Sequence, residues 1–134
     1  MRILAMLMLI LAPCHGANIL IDPNPKPKKV LKARITAYWA YPKQDPWTAK
    51  YQSSTGKRLV SGKSCAVDPR IIRYGSKVRI KGKTYIAKDT GTAVVARKAS
   101  RGKLPVVDLF FATQKQAMAE LGKIGRYAWV EVEN

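Results

Sequence analysis

Eight carboxylates are the whole acid inventory of this 134-residue chain, so the position of each carries information. Asp22 lies among prolines, Glu120 falls in a helical stretch, and Glu131 and Glu133 alternate at the C-terminus. Asp45 precedes Pro46 in a polar loop. Asp68, Asp89 and Asp108 differ from these, because each abuts a strongly apolar segment. Carboxylates placed against apolar surroundings are candidates for general acid–base chemistry. Each also has a plainer reading. Asp68 before Pro69 can be a helix cap, Asp89 before Thr90-Gly91 a turn former, and Asp108 an outward residue of an alternating strand.

Other catalytic chemistry is largely excluded. The apolar run 3–12, with Arg2 before it and Pro13-Cys14-His15-Gly16 after it, reads as a secretory signal peptide over residues 1–17. It is too short for a permanent membrane span. Removing it takes away the only histidine, His15, and one of the two cysteines, Cys14. A Ser-His-Asp triad, a Cys-His pair, a histidine-based zinc site and an internal disulfide are then all impossible. Cys65 reads as a small buried core residue. Ligand spacing gives no metal site, and no cofactor is expected.

The elements that must position the aspartates are mostly strands. Residues 18–32 read as a Pro/Lys-rich linker, with Pro23, Pro25 and Pro27 alternating with polar residues. The domain is expected over 33–134. Ala33–Trp39 alternates as a strand, and 41–56 is a long polar and aromatic loop. Arg58–Val60 and Cys65–Val67 are short strand candidates, and a helical turn through Ile71 and Ile72 should follow Asp68-Pro69. Lys77–Ile80 and Thr84–Ala87 form a hairpin about Lys81-Gly82-Lys83. Residues 96–105 read as an exposed basic loop, and Val106–Phe111 is the strongest strand. Thr113 caps a helix over 113–121 that Gly122 should stop, and Tyr127–Val132 closes the chain. Six or seven short strands with one or two short helices suggest a mostly β fold, a small closed barrel.

The order of the motifs adds a resemblance. Thr36-Ala37-Tyr38, Ser54-Thr55-Gly56-Lys57, Ala66-Val67-Asp68-Pro69, Ile72-Arg73-Tyr74-Gly75, Ala87-Lys88-Asp89-Thr90-Gly91 and Val107-Asp108-Leu109-Phe110 together resemble the three-aspartate (3D) domain. The segment Gly125–Val132 is similar to that family's last strand, so the match spans roughly 33–133. The resemblance implies a six-stranded double-psi β-barrel. It also implies a peptidoglycan lytic transglycosylase, of the type found in membrane-bound lytic transglycosylase A and in wall enzymes related to resuscitation-promoting factors. Such enzymes cleave the β-1,4 bond after N-acetylmuramic acid and leave a 1,6-anhydro product.

Carried over by position, Asp108 is the general acid and then base, while Asp89 and Asp68 shape the site. Tyr38, Thr55, Gly56, Lys57, Thr90 and Gly91 are the implied substrate-binding positions. A glycoside hydrolase normally needs two carboxylates; a lytic transglycosylase needs one, because the sugar's own C6 hydroxyl is the nucleophile. Burial of Asp108 among Val106, Val107, Leu109 and Phe110, beside a second carboxylate, should raise its pKa, while Lys88 should oppose that. Three departures stand out. Thr92 occupies the place of a second glycine, a longer basic loop over 94–105 precedes Asp108, and Arg73-Tyr74 replaces Pro-Leu. That loop could reshape or cover the groove. The large second domain seen in the membrane-bound enzyme is not expected here, so the cleft should be shallower and more open.

Charge bears on partners. Twenty-five Lys and Arg against eight acids give a formal net charge of +17, which favours a polyanion. Export points away from nucleic acid and toward peptidoglycan glycan strands, with other wall proteins as further candidates. The expected location is secreted, periplasmic or wall-bound, as a monomer. A membrane is involved only if Cys14 carries a lipid, and Pro13 argues against that. The alternative function is a non-catalytic glycan-binding module of the expansin-like kind.

Overall fold

Alternation on the longest strand sets the layout. In the computed structural model, which describes residues 23–43, 45–95 and 103–134, β1 (Lys28–Trp39) turns Ala33 and Ile35 into the core. Arg34, Thr36 and Tyr38 take the opposite face. Five further strands follow: β2 (Ser64–Ala66), β3 (Lys77–Ile80), β4 (Lys83–Asp89), β5 (Val106–Phe111) and β6 (Tyr127–Glu133). They close in the order β1-β5-β2-β4-β3-β6. The β1/β5 and β2/β4 pairs are parallel and the rest antiparallel, consistent with a double-psi barrel. Closure removes the unpaired edges that a small open sheet would expose. Val78, Ile80, Tyr85, Ala87, Val107, Leu109 and Val130 fill the interior, each 0–1% exposed.

Among the described residues three short helices accompany the strands: α1 (Pro46–Ala49), α2 (Thr92–Val95) and α3 (Gln114–Ile124). Asp45 caps α1 by accepting from Trp47 N at 3.0 Å, and Pro46 takes the first helical position. None of the helices among the described residues is long and apolar enough to cross a membrane.

Several local expectations change. The first strand starts at Lys28 rather than near Ala33, because Lys28–Lys32 pair antiparallel with Trp129–Glu133. Backbone pairing there outweighs the lysine-rich composition. Arg58–Val60 forms no strand; Arg58 makes only an isolated bridge to Gln52. The helical turn expected after Asp68 does form, with Ile71 N and Ile72 N both donating to Asp68 O at 2.9 Å. The hairpin loop is two residues, Lys81 (φ 45°) and Gly82 (φ 80°), the doubly left-handed pattern of a type I′ turn. The last helix passes through Gly122 and ends at Gly125, whose φ of 86° suits only glycine without strain. The expected leader over 1–17 and residues 18–22 lie outside the described residues, as does 96–102 of the expected basic loop.

Candidate active site

A single cross-strand row gathers the acids. Thr36 on β1 stands opposite Asp108 on β5, and Asp108 stands opposite Ala66 on β2. Ala66 in turn stands opposite Asp89, because the β2/β4 register shifts between Cys65 and Ala66. That bulge brings the last residue of β4 level with Asp108; bulges commonly re-aim a side chain in this way. The methyl group of Ala66 therefore separates two carboxylates that the sequence holds far apart.

The two acids are supported differently. Asp89 is buried, and four donors converge on it. Tyr38 Oη donates to Oδ2 at 2.7 Å. Ser54 N, Ser54 Oγ and Thr90 N donate to Oδ1 at 2.8, 2.7 and 2.9 Å. Asp108 is half-buried and accepts one bond, from Thr36 Oγ1 to Oδ1 at 2.7 Å. Its Oδ2 accepts none among the described residues and reaches solvent. Loss of solvation pushes the Asp108 carboxyl up to about 6; the Thr36 hydrogen bond opposes this and the charge of Asp89 adds to it. Lys88 does not oppose the shift, because its Nζ turns to Arg58 O at 3.3 Å. Burial, then the charge and hydrogen bond of Asp89, push the Tyr38 phenol far up, so it stays protonated as a donor.

Around the pair lies a recess of about 190 Å³, lined by Tyr38, Asp89, Thr90, Gly91, Ala93 and Asp108, among others. Asp45 and Thr48 also reach it. Thr48 Oγ1 donates to Asp45, and that bond, which outweighs the opposing effect of burial, holds the Asp45 carboxyl below its usual range. Helix α2 forms one wall, and Val94 packs with Ala66 and Val106 beneath it. Tyr38 is held from behind by Phe110, with ring centroids 5.3 Å apart, and Tyr51 meets Phe110 edge-on at 5.4 Å.

The other expected site residues are placed as follows. Thr90 and Gly91 line the recess; Thr90 Oγ1 is buried and has no partner among the described residues. Thr55 does not line it. Its Oγ1 donates to Lys88 O at 2.6 Å, fastening the 53–57 turn to β4. Gly56 (φ 76°) makes that turn, and Lys57 N donates to Ser53 Oγ. Lys57 itself is exposed. Asp68 is buried but stands outside the recess. Its carboxylate accepts from Arg70 N at 3.0 Å and from the Arg70 guanidinium at 3.0 and 2.8 Å. Those Arg70 hydrogen bonds hold the Asp68 carboxyl below its usual range. Its link to the pair is indirect: Val67 N donates to Asp89 O at 3.0 Å.

Two contributors were not singled out from the sequence. Ser54 gives Asp89 two of its four bonds, and only its place beside Thr55-Gly56 hinted at this. Thr36 was legible, since on an alternating strand it shares a face with Tyr38. Cys65 is buried beneath the row, and burial pushes its thiol far up, so it carries no reactive thiolate. Among the described residues no cluster of three or more His, Cys, Asp or Glu could hold a metal ion.

A family model described as the 3D domain matches residues 63–132. The match takes in β2 through most of β6, and so Asp68, Asp89 and Asp108. None of the curated proteins matches the chain.

Proposed function

The chain belongs to the 3D domain family, which is associated with peptidoglycan-related, lytic-transglycosylase-like domains, and from that premise we propose that it is a lytic transglycosylase acting on peptidoglycan outside the membrane. The observation that carries the reading is the asymmetry of the acid pair. Asp108 has an oxygen open to solvent and a carboxyl raised to about 6, whereas both oxygens of Asp89 are occupied by donors. One titratable, accessible acid beside one immobilised carboxylate suits a reaction that uses a single proton carrier.

In the first half-reaction Asp108 Oδ2 gives its proton to the glycosidic oxygen between N-acetylmuramic acid and N-acetylglucosamine. The C1–O bond breaks and the N-acetylglucosamine end leaves as an alcohol. The resulting Asp108 carboxylate then takes the proton of the C6 hydroxyl as O6 bonds to C1. The product is the 1,6-anhydro ring, no water is consumed, and Asp108 returns to its acid form. Asp89 contributes fixed negative charge near the positively charged transition state. Thr36 orients the Asp108 carboxyl, and Tyr38, Ser54 and Thr90 N orient Asp89. The substrate-facing positions of this reading are Tyr38, Thr90 and Gly91, while Thr55, Gly56 and Lys57 act through the turn that carries Ser54.

Mass spectrometry of purified peptidoglycan after digestion tests this, with Asp108→Asn beside the wild type. Anhydro-muropeptides from the wild type alone support the reading. Reducing ends would make the protein a hydrolase. Retention on peptidoglycan without any product would make it a glycan-binding module.

A further inference from the structure

The outer face shared by β1 and β6 divides into two halves of different charge. In one half Glu133 stands opposite Lys28 on β1 and Lys77 on β3. Glu131 stands opposite Val30 and Arg79, with the Arg79 guanidinium 3.9 Å away. The acids at that end therefore lie beside cations of the neighbouring strands. Pairing with β3 stops at Ile80↔Val130, and the outward residues of β6 beyond it are Trp129 and Tyr127. Lys32 stands opposite Trp129, and Arg34 opposite Tyr127. Among the described residues neither of these cations forms an ion pair.

The same half exposes apolar surface. Trp129 is 67% exposed, and Val30, its diagonal neighbour across the strand pair, 59%. Tyr127 and Leu104 are exposed as well, and Leu104 and Lys103 join Arg34 and Tyr127 around a recess of about 310 Å³. A contiguous exposed apolar patch marks an interaction surface. The chemistry of the patch selects among partners. An uncharged glycan would use the rings and leave Lys32, Arg34 and Lys103 unanswered. A nucleic acid would answer the cations and leave Val30 and Leu104 in water. The headgroup layer of an anionic bilayer answers both. Its phosphates meet the cations, while tryptophan and tyrosine rings settle at the boundary between headgroups and acyl chains.

We infer that this half of the β1/β6 face, centred on Lys32, Arg34, Tyr127 and Trp129, docks the barrel on the surface of a bilayer rich in anionic phospholipid. The contact uses the fold's own surface and calls for no lipid on Cys14, contrary to the expectation from sequence. Thr36 lies two residues beyond Arg34 on the same face of β1, about 7 Å along the strand. Docking therefore holds the acid row close to the headgroups. The docking itself does not depend on cleavage.

A net charge of +17 attracts the chain to any polyanion, so the test must separate this face from the rest of the surface. Residues 18–134 hold every strand of the closed barrel. They are sedimented with vesicles of about 30 mol% phosphatidylglycerol in phosphatidylcholine at about 0.1 M salt. Binding should be at least about tenfold tighter than to phosphatidylcholine alone. Tryptophan emission should shift to the blue on binding, and the shift should vanish in Trp129→Phe. Lys32→Glu should weaken binding about fivefold or more, and Trp129→Ala about tenfold. The control is Lys115→Glu, the same charge change at the first turn of α3, which should alter binding less than about twofold. All three side chains are exposed, so circular dichroism and melting temperature should not move. Equal losses from Lys32→Glu and Lys115→Glu overturn the inference, because net charge alone would then explain the binding. An unchanged emission spectrum overturns it, as does binding no tighter than to phosphatidylcholine. Retention on purified peptidoglycan that Trp129→Ala weakens, with vesicle binding unaffected, assigns the face to glycan and overturns it too.

Discussion

Replacing Asp108 with asparagine should make the protein more stable at neutral and alkaline pH while removing its activity. The carboxyl is shifted from its ordinary 3.8 to about 6 in the folded state. The folded chain therefore binds a proton more tightly than the unfolded chain, and stability is lost as pH rises between those two values. Two pH units at about 1.4 kcal/mol each set a ceiling of about 3 kcal/mol for the cost of ionised Asp108. Water reaches the half-buried carboxyl, so a measured value of about 1–3 kcal/mol is expected. Asparagine avoids this cost, because its side-chain oxygen can still accept from Thr36 and its NH₂ group takes the place of the solvent-facing Oδ2. Urea unfolding of both proteins at pH 4, 6 and 8 gives the difference directly. The two should differ little at pH 4, with the variant pulling ahead through pH 6 to a plateau by pH 8. A difference that is flat with pH would refute the raised carboxyl, and a variant less stable than wild type at pH 8 would refute the account of the Thr36 bond.

The same proton should govern the rate. If Asp108 in its acid form is the donor, kcat/KM for glycan cleavage should hold below pH 6 and fall about tenfold per pH unit above it; a profile flat from pH 5 to pH 8 would count against Asp108 as donor. Tyr38→Phe removes the donor to Asp89 Oδ2, and leaving that buried oxygen unpaired should cost about 1–3 kcal/mol in denaturant unfolding, together with a loss of activity. Asp68→Ala removes the side-chain acceptor for Arg70 N and should cost about 1 kcal/mol. Because the Asp68 carboxyl is held below its usual range, its stabilising part is present above pH 3.8 and disappears as pH falls further. The gap between wild type and Asp68→Ala should therefore narrow in acid, and a gap that widens below pH 3.8 would contradict the Arg70 assignment.

How much of this was legible in the sequence depends on the kind of information each feature needs. Local rules carried the strand at Val106–Phe111, the hairpin about Gly82 and the Thr113 cap, since each is written in a few adjacent residues. Local rules failed at Gly122, where packing of Ala117, Glu120 and Ile124 against the barrel carries the helix one turn past a residue that costs about 1 kcal/mol in a helix interior. They failed at Lys28–Lys32 as well, where a partner strand from the far end of the chain supplies the order. The ordered motifs named the three aspartates and set Asp108 apart, but they gave Asp68 and Asp89 the same supporting role. Both Asp68 and Asp89 end apolar runs, yet one faces Arg70 and the other faces Tyr38 and Ser54.

The ranking is decided by register, and register is a property of the closed barrel. Without the shift between Cys65 and Ala66, Lys88 and not Asp89 would stand level with Ala66, and a cation would lie beside Asp108. An ammonium at that point would lower the Asp108 carboxyl, where the anion of Asp89 raises it. The bulge thus couples a backbone irregularity to the proton affinity of the acid across the row. The Ala66 methyl leaves room for that coupling, and it adds no polar group that could neutralise either carboxylate. A larger or charged residue at position 66 would perturb the Asp108 carboxyl without touching the bond from Thr36, the one it accepts among the described residues. Burial among apolar neighbours supplies the larger part of the shift and is legible along the chain; the part that comes from Asp89 is set by the register of the closed sheet and is not.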